Sequence, residues 1–115
     1  MATWKKVEAR ICGMLGLIRA PITGRTRGSA ADCMSKDSTK IPFFSVEVKH
    51  RESLPDWMLD AMSQAKASMR NDTQLPVVVF HQKGMEFKDS VVMLRLSDFA
   101  DYFGGPGEPT PEETE

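Results

Sequence analysis

The chain has 115 residues, 41% hydrophobic and 27% charged, with two cysteines and a net charge of −1. That balance is globular and excludes wholesale disorder, collagen-like repeats and coiled coils. No apolar run approaches the roughly 20 residues of a membrane helix. The charged, amphipathic start is unlike a signal peptide. Cys12 and Cys33 are too few for a disulfide framework or a four-cysteine zinc site, so a reduced, cytoplasmic protein is expected.

The charge is unevenly spread. Residues 105–115 hold four acids, three prolines and no base; such a tail cannot build a core and is expected to be mobile. The expected layout is one folded domain over 1–104 and a disordered acidic tail over 105–115. Residues 1–27 carry Lys5, Lys6, Arg10, Arg19, Arg25 and Arg27 against a single acid, Glu8. A basic face of this kind suits a polyanion, though a solvated helix face reads equally well.

In chain order, residues 3–18 predict a helix. Thr3 is its cap, and Trp4, Val7, Ile11, Met14, Leu15 and Ile18 form its apolar stripe. Gly13 and Gly16 weaken it and can end it early. Residues 19–28 read as a Gly/Pro loop. A short strand over 29–34 and the clearest strand, 41–50, follow and are expected to pair as a hairpin. Pro55 opens a second helix with a stripe of Trp57, Met58, Ala61, Met62, Ala65 and Met69, ended by Asn71-Asp72-Thr73. Residues 76–81 read as a strand buried on both faces. A glycine turn over 83–89, a strand over 90–96 and a short helix over 97–103 complete the order α-β-β-α-β-β-α, an α/β fold with a mixed sheet flanked by helices.

The strand Phe43-Phe44-Ser45-Val46-Glu47-Val48-Lys49 alternates faces, so Glu47 and Lys49 project side by side. Asp32, on the preceding strand, can approach them if the strands pair. Two carboxylates aimed at one point need a cation between them, and oxygen ligands favour Mg²⁺ or Mn²⁺. Asp32, Glu47 and the carbonyl of Val48 are the candidate metal ligands. Glu8, beside the stripe of the first helix, can hold an outer-shell water.

An early helix glutamate (Glu8), a basic Gly/Arg loop, Asp32 after Gly28-Ser29-Ala30-Ala31, and then Glu47-Val48-Lys49 resemble the PD-(D/E)xK nucleases. The layout is most similar to the small Holliday-junction resolvases of archaea and bacteriophages. The likeness covers residues 4–70, with Ala31 where the motif's name has proline; Gln64 matches an often polar position. The later segments are similar to small phage-encoded members of the same superfamily.

This resemblance implies a restriction-endonuclease-like fold and a Mg²⁺- or Mn²⁺-dependent endonuclease acting on branched DNA or four-way junctions. It implies a homodimer, 5′-phosphate products, and a bacterial or phage-infected cytoplasm. No small-molecule cofactor and no membrane are expected. Lys49 would orient the attacking water and stabilise charge on the phosphate. Arg25 and Arg27 would hold backbone phosphates, with Arg19, Lys5, Lys6 and Arg51 as further DNA contacts.

Plainer readings stand beside these. Glu47 and Lys49 can be an exposed pair, Asp32 a turn cap, and Glu8 a partner of Lys5 or Lys6. Arg25 and Arg27 can be solvated loop charges. Cys12 and Cys33 read as packed small residues. The competing function is a non-catalytic nucleic-acid-binding protein on the same fold.

Overall fold

The computed structural model describes residues 3–21 and 31–103. Arg25 and Arg27, residues 29–30 of the first predicted strand and the tail over 105–115 lie outside them. The elements are α1 (Thr3–Met14), β1 (Ile18–Arg19), β2 (Cys33–Met34), α2 (Asp56–Ala67), β3 (Val78–Phe80), a 3₁₀ turn (Phe87–Asp89), β4 (Val91–Met93) and α3 (Leu96–Phe103). The chain divides into two compact units, Met1–His50 with Ala100–Glu115, and Arg51–Phe99.

The three helices and the strands β3 and β4 fall where expected, but the first ribbon does not: β1 lies at Ile18–Arg19, where the end of the helix and a loop were expected, and residues 41–50 form no strand. There is no single mixed sheet among the described residues. Two separate antiparallel ribbons form, β1–β2 and β3–β4.

In the first unit, α1 ends at Met14 rather than Ile18 because Gly16 turns left-handed, with φ 75°. The Leu17 N–H bonds the Cys12 carbonyl at 2.8 Å and the Gly16 N–H bonds that of Gly13 at 3.0 Å. This is a Schellman closure, which glycine permits without steric cost. Ile18 is thereby released into β1, where it pairs with Met34 while Arg19 pairs with Cys33.

The buried face of α1 is not the predicted stripe. Glu8, Ala9, Cys12 and Gly13 are buried, whereas Val7, Ile11 and Met14 are half-buried and Trp4 is exposed. Three of the four buried residues are small, so the helix backbone lies close to the ribbon. The closeness corrects the reading of the cysteines as reduced: Cys12 and Cys33 form a disulfide, with Cα atoms 5.5 Å apart. In the chain-entropy view, closing a loop of this length contributes about 3 kcal/mol.

The segment 41–49, predicted as the clearest strand, alternates between exposed odd and half-buried even positions. It nevertheless forms no ladder and does not pair as the predicted hairpin. The cause is Asp32. Its carbonyl accepts the Ala20 N–H at 2.9 Å on one side, and its N–H donates to the Val46 carbonyl at 2.8 Å on the other. In a regular antiparallel pair one residue exchanges both bonds with one neighbour, so Asp32 is a bend.

In the second unit, α2 buries Met62 and half-buries Met58, Ala61 and Ala65 of the predicted stripe, and Met69, beyond the end of the helix, is half-buried as well. Trp57 is 60% exposed yet meets Phe80 edge-on, with ring centroids 5.3 Å apart. The register of β3–β4 pairs Val78 with Met93, Val79 with Val92 and Phe80 with Val91. Val79 and Val92 point outward, 61% and 57% exposed, so β3 is not buried on both faces. A two-stranded ribbon packed on one helix has only one covered side. Gly84, with φ 89°, supplies the left-handed step of the turn before β4.

Met62 is the one buried large side chain of the second unit. Met62→Ala is expected to lower stability by about 2–4 kcal/mol, whereas Ile41→Ser, at a 95% exposed position, changes it by less than about 0.5 kcal/mol. Urea unfolding of both variants checks the contrast.

Candidate functional site

The site is built around Asp32. Besides its two backbone bonds, its carboxylate Oδ2 accepts the Val48 N–H at 2.6 Å. The carboxylate thus occupies the place of a ladder bond and is held against the segment that carries Glu47 and Lys49. Those two project from the exposed row of that segment and pair with each other, Lys49 Nζ to Glu47 Oε1 at 3.1 Å, with side chains 65% and 61% exposed. An exposed pair of this kind contributes little to stability.

Glu8 comes from α1. Its carboxylate accepts from Arg19 Nε at 3.3 Å, and both side chains are 11% exposed. Arg19 also lies over the Trp4 ring, 5.2 Å from its centroid. Arg19 therefore has partners inside the protein, and Glu8 pairs with Arg19 rather than with Lys5 or Lys6. Burial foremost, then the negative charge of Asp32, holds the Glu8 carboxyl above its ordinary 4.5; Arg19 opposes this by charge and hydrogen bond, and Glu47 adds to it. The Glu8 carboxyl thus feels the charge of both Asp32 and Glu47. No group of three His, Cys, Asp or Glu among the described residues is gathered tightly enough to hold an ion.

With Glu8 turned inward, the remaining charges of α1 are Lys5, Lys6 and Arg10. A groove of about 420 Å³ on this helix is lined by Lys6, Val7, Arg10 and Ile11. Lys5 sits over Trp4, 5.5 Å from the ring centroid. Arg51 begins the second unit, and Gln64 is an exposed position of α2 whose carbonyl accepts the Ser68 hydroxyl at 2.9 Å. Sequence reasoning missed the use of Arg19 as the partner of Glu8 and the link between Cys12 and Cys33. The four-residue step from Glu8 to Cys12 was a visible signal, since it places both on one helix face.

No helix of the described residues is long and apolar enough to cross a membrane. Comparison with protein-family models, with curated proteins and with solved structures finds no match.

A native carboxyl titrating above its unfolded value stabilises the fold below that unfolded value, and the contribution is lost as pH rises through the native one. For Glu8 the loss is expected to begin above 4.5. Asp37, lowered from 3.8 by hydrogen bonds from the Thr39 hydroxyl and N–H, has the opposite sign. A carbon-13 NMR titration should place the Glu8 midpoint above 4.5 and move it higher in Arg19→Gln. A downward move would break the assigned pairing.

Proposed function

We propose that the protein is a metal-dependent DNA endonuclease acting on branched or four-way DNA, with a restriction-endonuclease-like arrangement of its catalytic groups. One observation carries the reading: the Asp32 carboxylate is bonded to the Val48 N–H at 2.6 Å, between the two residues Glu47 and Lys49. The donor chemistry fits a hard divalent ion. Asp32 and Glu47 offer carboxylate oxygens and Val48 offers a carbonyl; the Glu8 carboxyl, raised first by burial and then by the charge of Asp32, stands near that acid.

Mg²⁺ or Mn²⁺, held by Asp32, Glu47 and the Val48 carbonyl, would supply Lewis-acid polarisation of the phosphate. The chain's own groups do the rest. Lys49 exchanges its contact with Glu47 for the phosphate, orients the attacking water and stabilises the pentacovalent charge. Glu8, kept in place by Arg19, accepts a hydrogen bond from a water beside the site. Lys5 and Lys6, with Arg25 and Arg27 of the basic segment, hold backbone phosphates, and Arg51 is a further DNA contact. Arg19 is assigned to Glu8 in this scheme. Two symmetric cuts at a junction need two such sites and hence a homodimer.

A second reading, a non-catalytic nucleic-acid-binding protein, is favoured by the mutual pairing of Glu47 and Lys49 at 3.1 Å. In it the acids are satisfied surface groups and only the basic side of the chain acts.

Labelled four-way junction, fork and duplex, incubated with Mg²⁺, Mn²⁺ or EDTA, separate the two. Cleavage of branched DNA with either metal and none with EDTA is expected. Lys49→Ala should abolish cutting and leave the junction bound. Asp32→Asn keeps an oxygen for the Val48 N–H and should weaken Mg²⁺ binding by calorimetry. Binding of all three DNAs without cutting under any metal would leave the second reading standing. Replacing Arg25 and Arg27 by alanine should flatten the salt dependence of binding by about one unit of slope per lost phosphate contact.

A further inference from the structure

We propose that Cys12 and Cys33 are positioning residues for the carboxylates of this site: their disulfide fixes the turn of α1 that carries Glu8 against the bend that carries Asp32. The functional meaning of that spacing rests on the nuclease reading; the positioning itself does not.

The geometry is local and direct. Cys12 lies four residues after Glu8, one turn along the same helix face. Cys33 is the next residue after Asp32 and pairs with Arg19, the partner of Glu8. Cys12 is fully buried and Cys33 is 3% exposed. The Cys12 sulfur lies 3.7 Å from the Asp32 carbonyl oxygen. The Cys12 carbonyl also accepts the N–H groups of Leu15 and Leu17 that close α1. One residue thus ends the helix, bonds the strand beside Asp32 and touches the Asp32 backbone.

The rest of the contact between α1 and the ribbon is thin. Among the described residues, the other buried apolar side chains of this unit are Ala9, Leu15 and Leu17. Small residues bring the helix close, but they grip weakly once the covalent link is gone.

A dithiol reductant addresses the link. Two thiolate attacks break the S–S bond; each cysteine gains one electron and one proton, and the reductant closes to its own disulfide. The freed Cys12 thiol is then a donor with the Asp32 carbonyl as its nearest acceptor. That carbonyl already accepts the Ala20 N–H at 2.9 Å. Reduction therefore loosens the helix tether and introduces competition for a bond that holds the bend.

The test is amide hydrogen exchange by NMR on the full chain, oxidised and dithiothreitol-treated, well below the melting temperature of both. Thiol alkylation and mass spectrometry count the free cysteines in each. The Val48 amide, whose acceptor is the Asp32 carboxylate, is expected to exchange about tenfold faster after reduction. The ladder amides of β3 and β4 should stay unchanged. Reoxidation should restore Val48, and a Cys12→Ala/Cys33→Ala variant should behave as the reduced form without dithiol. Two free thiols in the untreated protein, an unmoved Val48 amide, or equal loss of protection in both units would each overturn the proposal.

Mg²⁺-dependent cutting of a four-way junction, followed in the same samples, should fall about tenfold on reduction, and undiminished cutting would also overturn it. No cutting in either form, with the Val48 response present, would defeat the nuclease reading and leave the positioning role standing.

Discussion

The attachment of α1 to β2 is the constraint on which the first unit depends. It is made at Cys12 and Cys33, one helical turn from Glu8 and one residue from Asp32. A helix of small buried residues approaches a ribbon closely but buries little area. Apolar burial contributes about 25 cal/mol per Å², and Ala9, Cys12 and Gly13 offer few such Å². A covalent tie replaces the large side chains that a thicker core would use. It also permits a buried ionised pair, Glu8 with Arg19, at the same interface, where a pair without other support would be costly to desolvate.

Asp32 is the second organising element, because its backbone serves two neighbours at once. The split of its N–H and C=O to opposite sides stops the ladder and frees its carboxylate to take the Val48 N–H. An irregular bend of this kind stores a polar group beside a chemically rich segment instead of consuming it in a sheet. The result is an acid on the bend, an acid and a lysine on the extended segment, and a third acid on the helix, with Arg19 as the internal counter-charge.

The second unit follows simpler rules. A Met-rich helix covers one side of a two-stranded ribbon, and the Trp57–Phe80 contact marks where they meet. Its outward valines show that the ribbon is too narrow to be sandwiched. The candidate site, with Glu8, Asp32 and Glu47, is built in the first unit.

The sequence by itself determined the three helices and the segments of β3 and β4, because hydrophobic spacing, Gly16, Pro55, Asn71 and Gly84 act through local sterics, but not the first ribbon, whose β1 lies at Ile18–Arg19 while residues 41–50 form no strand. It also determined that Ser45, Glu47 and Lys49 share a face, since alternation is a property of extended backbone. It did not determine which face of α1 is buried: the large apolar stripe was the obvious candidate, and close approach through small residues won. It did not reveal the Cys12–Cys33 link, the bond from Arg19 to Glu8, or the Asp32 bend that keeps residues 41–49 out of a ladder. Those are contacts between residues 11 to 21 positions apart, and only the tertiary structure decides them, because they depend on where whole elements come to rest rather than on the preferences of any one segment.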